Sequence, residues 1–115
     1  MTNASLSISV ETLKRVDLVT VNGRIDSNSA PQFDQALKDI MGAGRHNIVL
    51  NLSGVSYMSS AGLRGIVSAL RECKKKKGDV RIAEPSERVN EVLSLAGLDS
   101  LFQLFDDATS AVGSF

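Results

Sequence analysis

Small hydroxyl side chains crowd into the segment Ser53-Gly54-Val55-Ser56-Tyr57-Met58-Ser59-Ser60-Ala61-Gly62-Leu63. A serine hydroxyl there has two plain uses. It can cap a helix by accepting an amide hydrogen, worth ~1 kcal/mol. It can also accept a phosphoryl group, whose charge suits the free amide hydrogens and positive dipole end of a helix N-terminus. Nucleophilic catalysis would need a base and a group that orients the base as well. His46 is the one imidazole and sits in a glycine-flanked polar connector, the setting of a solvated histidine. Cys73, the one cysteine, falls in phase with the apolar residues around it and reads as a buried thiol. A lone cysteine excludes an internal disulfide, and with a lone histidine it leaves too few soft ligands for a structural zinc site. No P-loop or dinucleotide-binding glycine pattern occurs, and Gly42 and Gly44 follow a helix instead of joining a strand to one. No catalytic residue, metal ligand or cofactor site is expected, and a small hydrolase has almost no support in these residues.

Composition narrows the partners. With 115 residues the chain suits one compact domain, and 43% hydrophobic against 23% charged residues is the profile of a chain that folds alone. Thirteen Lys and Arg balance thirteen Asp and Glu, so no net field draws in nucleic acid. Residues 74–77 are all lysine, but they close a helix, where cations suit the negative dipole end. No apolar run approaches the ~20 residues that cross a bilayer, and residues 1–9 carry no basic leader. A cytoplasmic protein without membrane insertion is expected, with a protein partner or a small ligand.

The elements that would position the serines follow from periodicity. Residues 5–10 alternate, with Leu6, Ile8 and Val10 on one face, and residues 16–21 form a β-branched run ending at Asn22-Gly23; together they predict an antiparallel hairpin. Ser27, Asn28 and Ser29 offer cap oxygens, Pro31 suits a first helical turn, and Phe33, Leu37, Ile40 and Met41 recur at helical spacing. The almost wholly apolar run 48–52 predicts a central strand covered on both faces, followed by a polar loop over 53–60. Leu63, Ile66, Val67, Leu70 and Cys73 predict a second helix that Ser59 or Ser60 would cap. Residues 79–83 predict another strand, and Val89, Val92, Leu93 and Ala96 a third helix stopped by Gly97. Residues 101–105 predict a last strand or an extended segment, and 108–115 a weakly patterned tail with room for a short helix. This order implies an α/β domain with a mixed sheet, an opening antiparallel hairpin, right-handed crossovers and three to four helices packed on it.

The run Asn51-Leu52-Ser53-Gly54-Val55-Ser56-Tyr57-Met58-Ser59-Ser60-Ala61-Gly62-Leu63-Arg64 resembles the signature segment of STAS domains, specifically the bacterial anti-sigma factor antagonists. Gly23-Arg24-Ile25-Asp26 resembles that family's glycine and acidic residue after its second strand, and the order of elements over about 5–107 matches the whole domain. The resemblance implies a phosphorylation-controlled antagonist that is not itself an enzyme. Unphosphorylated, it would bind an anti-sigma factor that is also a serine kinase and so free a sigma factor; a metal-dependent serine phosphatase would reverse the modification. The family's acceptor serine stands two residues before the signature glycine, which makes it Ser60, with Ser59 as second choice. The implied partner surface combines Asp26, Ser27 and Asn28 with Ser59, Gly62, Leu63 and Arg64, Leu63 being equally in phase with the core positions Val67 and Leu70. Two positions depart from the family pattern: Ser59 stands where aspartate commonly precedes the acceptor, and Asn51 where an aspartate often ends the strand. Other STAS domains are accessory subunits of transporters or of stress-signalling assemblies, the alternative that the resemblance leaves open.

Overall fold

A computed structural model describes residues 6–115; Ser5, placed by periodicity at the start of the first strand, lies outside the described residues. Strand β1 (Leu6–Thr12) pairs antiparallel with β2 (Asp17–Ile25), from Leu6 opposite Gly23 to Thr12 opposite Asp17. There follow α1 (Ala30–Gly42), β3 (Asn47–Met58), α2 (Ser60–Lys75), β4 (Asp79–Ala83), α3 (Glu87–Leu95), β5 (Leu104–Phe105) and α4 (Ala108–Gly113). The five strands lie in the order β1-β2-β3-β4-β5, with β2 to β5 mutually parallel. The expected α/β fold with a mixed sheet and an opening antiparallel hairpin is therefore present, and β3 is central.

Burial explains the layering. Phe33, Leu37 and Ile40 of α1, Ile66, Ala69, Leu70 and Cys73 of α2, and Val89 and Leu93 of α3 share one core with Val19, Val21, Leu50, Leu52 and Ile82 of the sheet. Each fully buried Leu, Ile or Phe contributes roughly 1.5–3 kcal/mol, so this layer holds most of the apolar stabilisation. The other face of β3 buries Val49, which packs with Val16, Ala83 and Ala111 under α4. Near the hairpin turn, buried Asp17 receives the Arg45 guanidinium at 2.7 Å, and Arg45 also donates to the Leu13 carbonyl at 2.6 Å. The α1–β3 connection is thereby tied to the hairpin.

Four expectations need correction. Strand β2 does not stop at Asn22-Gly23: it bends there, with Gly23 at φ +115° and register shifts against β3, and continues to Ile25. Strand β3 likewise continues through the segment expected to be a polar loop. Residues 54–58 pair with the extension of β2, and Val55 and Met58 turn into the core between exposed Ser53, Ser56 and Tyr57. Asn51 consequently lies within β3, opposite Thr20 and Ala83, and not at its end. The last strand is confined to Leu104 and Phe105. The weakly patterned tail, which had room for a short helix, contains α4 around fully buried Ala111.

Candidate functional site

The two longest parallel strands finish side by side and deliver the serines. The Ser59 amide donates to the Ile25 carbonyl at 2.8 Å, fastening the end of β3 to the end of β2. Ser59 itself is extended (φ −83°, ψ 169°), and its hydroxyl accepts the Gly62 amide hydrogen at 3.2 Å. Ser59 is therefore the cap of α2, and Ser60 is its first helical residue; of the two serines expected as possible caps, the structure uses Ser59. The Ser60 side chain is left exposed and makes no hydrogen bond among the described residues. The Ser60 and Ala61 amides also lack partners among the described residues, so the site holds two free donors at the positive end of a sixteen-residue helix.

Gly62 decides how closely α2 approaches the strands. It is buried, and a Cβ there would lie 2.7 Å from Ile25 Cγ2 and 3.2 Å from Met58 Cγ. Its burial makes it the point at which α2 packs closely on the ends of β2 and β3.

Residues 26–29 form a hydrogen-bonded knot beside this helix start. Asp26 Oδ1 accepts the amide hydrogens of Asn28 and Ser29, each at 3.0 Å. The Ser29 hydroxyl donates to the Arg24 carbonyl at 2.6 Å and accepts the Asp26 amide hydrogen at 2.9 Å. Ser29 stands at the cap position of α1 but makes no side-chain cap bond, because its hydroxyl is spent inside the knot. The Ser29 amide, more than any other group, holds the Asp26 carboxyl below its ordinary 3.8; burial, next in size, opposes it, and the Asn28 amide, the Ser29 hydroxyl and Arg24 add to the lowering. Asp26 thus shapes the loop, while Ser27 and Asn28 stand exposed on it.

A groove of about 420 Å³ separates the two helix starts, lined by Ser27, Pro31 and Asp34 on one side and Ala61, Arg64 and Ser68 on the other. The structure thus brings together Asp26, Ser27, Asn28, Ser59, Ser60 and exposed Arg64. Leu63 is half-buried against the core and borders a separate groove with Val67 and Leu98. Sequence reasoning missed Asp34, and it missed Arg24, whose guanidinium lies 4.5 Å from the centre of the exposed Tyr57 ring and 3.9 Å from Asp26 Oδ2. The Arg24–Tyr57 contact depends on the register between β2 and β3, which no local pattern reveals.

His46 lies half-buried in the α1–β3 connection, where its carbonyl accepts the Asp79 amide hydrogen at 3.0 Å. Cys73 is fully buried on α2, and burial, reinforced by Asp79 and Glu72, pushes its thiol up to about 11. Among the described residues no group of His, Cys, Asp and Glu is arranged to hold a metal ion, and no helix is long and apolar enough to cross a membrane.

Comparison with known proteins gives the same picture of the whole chain. The sequence description of the STAS domain matches residues 7–111. The anti-sigma-B factor antagonist of Staphylococcus epidermidis is 29% identical over 101 residues, covering 86% of this chain and 94% of that one. The crystal structure of an anti-sigma factor antagonist from Mycobacterium paratuberculosis superposes with a TM-score of 0.86 at 26% identity, covering 96% of this chain and 93% of that one. The Bacillus cell fate determinant SpoIIAA in its phosphorylated form shares the fold, with a TM-score of 0.76 at 19% identity over 94% of this chain and 98% of that one. The strand order, the serine-bearing junction of β3 and α2 and the match over residues 7–111 agree: the chain belongs to the STAS domain family.

Proposed function

We propose that this protein is a cytoplasmic, non-enzymatic anti-sigma factor antagonist whose binding is switched by phosphorylation of Ser60. One observation carries the reading: Ser59 takes the cap of α2, leaving Ser60 exposed and, among the described residues, uncommitted beside the unpartnered amides of Ser60 and Ala61. Named relatives point the same way, since the Staphylococcus epidermidis protein and the Mycobacterium paratuberculosis structure are both described as antagonists of anti-sigma factors. The unphosphorylated form binds an anti-sigma factor that is also a serine kinase, through Ser27, Asn28 and Arg64 around the groove, with Asp26 holding the loop that presents them. A metal-dependent serine phosphatase restores that form.

Phosphorylation adds about −1.5 to −2 charges at neutral pH, and the helix start accepts them without refolding. Placed in a desolvated contact with an acidic or apolar partner surface, the same charge costs several kcal/mol, and each ~1.4 kcal/mol is a tenfold loss of affinity. The test is incubation with a candidate anti-sigma factor kinase and ATP, followed by mass spectrometry. A single phosphate on Ser60, lost in Ser60→Ala, is the expected result. Undiminished labelling of that variant would move the acceptor to Ser59 or Ser56. Amide spectra of the phosphoprotein should change only around residues 53–63 and their neighbours; shifts throughout the sheet would refute a charge-only switch.

A further inference from the structure

The two edges of the sheet differ in how they meet solvent. At one, β5 is only two residues long. At the other, β1 runs seven residues in unbroken register with β2 and contains no proline, no lysine and a single charge, Glu11. Natural sheets ordinarily guard an edge by shortness, bulges, proline or charge, because a bare edge is a template for another strand. Within β1, residues 7 and 9–12 are exposed, Val10 to 43%. Beside it an open cleft of about 640 Å³ runs between β1 and α1, with Ile8, Val10, Ala36 and Ile40 along its apolar part and Asp39 and Arg45 among its polar lining.

The hydrogen-bond parity of β1 can be read from the hairpin turn. The Leu13 amide donates to the Val16 carbonyl at 2.9 Å, which makes those two a hydrogen-bonded pair. Antiparallel ladders alternate, so Ser7, Ser9 and Glu11 bond to β2, while Ile8 and Val10 turn their N–H and C=O groups outward.

From these features we propose that β1 is a self-association edge, on which two copies of this chain pair antiparallel about a twofold axis at Ser9. This register has three properties. It is the twofold register that pairs all seven residues of β1, and it sets Ile8 opposite Val10 of the other copy, so the outward groups bond to one another. It places Ile8 and Val10 of both copies on the cleft side, joining the apolar parts of the two clefts. It brings Glu11 opposite Ser7, so no like charges meet. Within β1 itself Glu11 is the single charge, and the register that keeps it away from its own twin is the self-complementary one, which makes the chain's own copy the better match. Because β3 is two strands in from this edge, the dimer leaves both Ser60 sites open, and the inference does not depend on the function proposed for them.

Site-directed crosslinking tests the register. At a non-hydrogen-bonded antiparallel pair the Cα atoms lie about 4.5 Å apart, within disulfide reach. Ser9→Cys should therefore give a covalent dimer under mild oxidation, and Ser7→Cys, which faces Glu11, should not; native Cys73 is buried and does not interfere. Sedimentation equilibrium of the unmodified chain should show mass rising with concentration towards twice the monomer. Val10→Lys, at an exposed position that leaves the monomer fold intact by circular dichroism, should weaken association about tenfold or more. A monomer at every concentration, equal crosslinking of the two cysteine variants, or association indifferent to Val10→Lys would each overturn the proposal.

Discussion

Replacing the two adjacent serines one at a time separates capping from modification. In Ser59→Ala the Gly62 amide loses its acceptor at 3.2 Å, and the loss of a side-chain cap costs about 1 kcal/mol, with a range of about 0.5–2. For a chain of this length that lowers Tm by about 4 °C. Ser60→Ala removes an exposed hydroxyl without a hydrogen bond and exchanges serine for the best helix former, so its stability should stay within about 0.5 kcal/mol of the parent, on the stabilising side if anything. Ser60→Asp puts a carboxylate at the positive end of α2, a gain of roughly 0.3–1 kcal/mol, while weakening partner binding less than a phosphate would. Urea and thermal unfolding of the three variants, paired with phosphate incorporation, give a crossed pattern. Ser59→Ala is destabilised and still labelled; Ser60→Ala is stable and unlabelled. Equal destabilisation of both alanine variants, or a silent Ser59→Ala, would refute the assignment of the cap to Ser59.

Gly62→Ala drives a methyl group to 2.7 Å from Ile25 Cγ2; overpacking at this fully buried neighbour should cost about 1–3 kcal/mol, read as a lower urea midpoint with an unchanged slope. Arg45→Ala leaves the Asp17 carboxylate buried without its guanidinium, and since Asp17 Oδ1 has no partner among the described residues as it is, unfolding measurements should show a loss of about 3–5 kcal/mol, partly recovered by adding Asp17→Asn. The depressed Asp26 carboxyl stabilises the folded state above its ordinary value of 3.8, and that contribution disappears as pH falls through its lower folded value. Unfolding midpoints of the parent and of Asp26→Asn should therefore differ at neutral pH and converge in acid; a constant offset across that window would show that the carboxylate charge is not what the loop uses.

The types and order of elements were legible in the chain because they rest on local physics. Phe33, Leu37 and Ile40 recur with the helical period, Ile48-Val49-Leu50 is too apolar for anything but a covered strand, and Pro31 stands where a first helical turn accepts it. The serine cluster could be placed at a strand–helix junction on the same grounds. The tertiary structure decided the length of β3, since residues 53–58 alternate too weakly to declare a strand and become one only by pairing with the bent extension of β2, distant in sequence. It decided which serine caps α2: both Ser59 and Ser60 carry a suitable hydroxyl, and the choice follows from the Ser59 amide being anchored to Ile25, which sets its backbone extended and its side chain over Gly62. It also decided that residues 26–29 meet the start of α2 and that Ala111 fills the far side of β3. Such contacts join residues tens of positions apart, and the energy that selects them appears only when whole apolar faces close on one another.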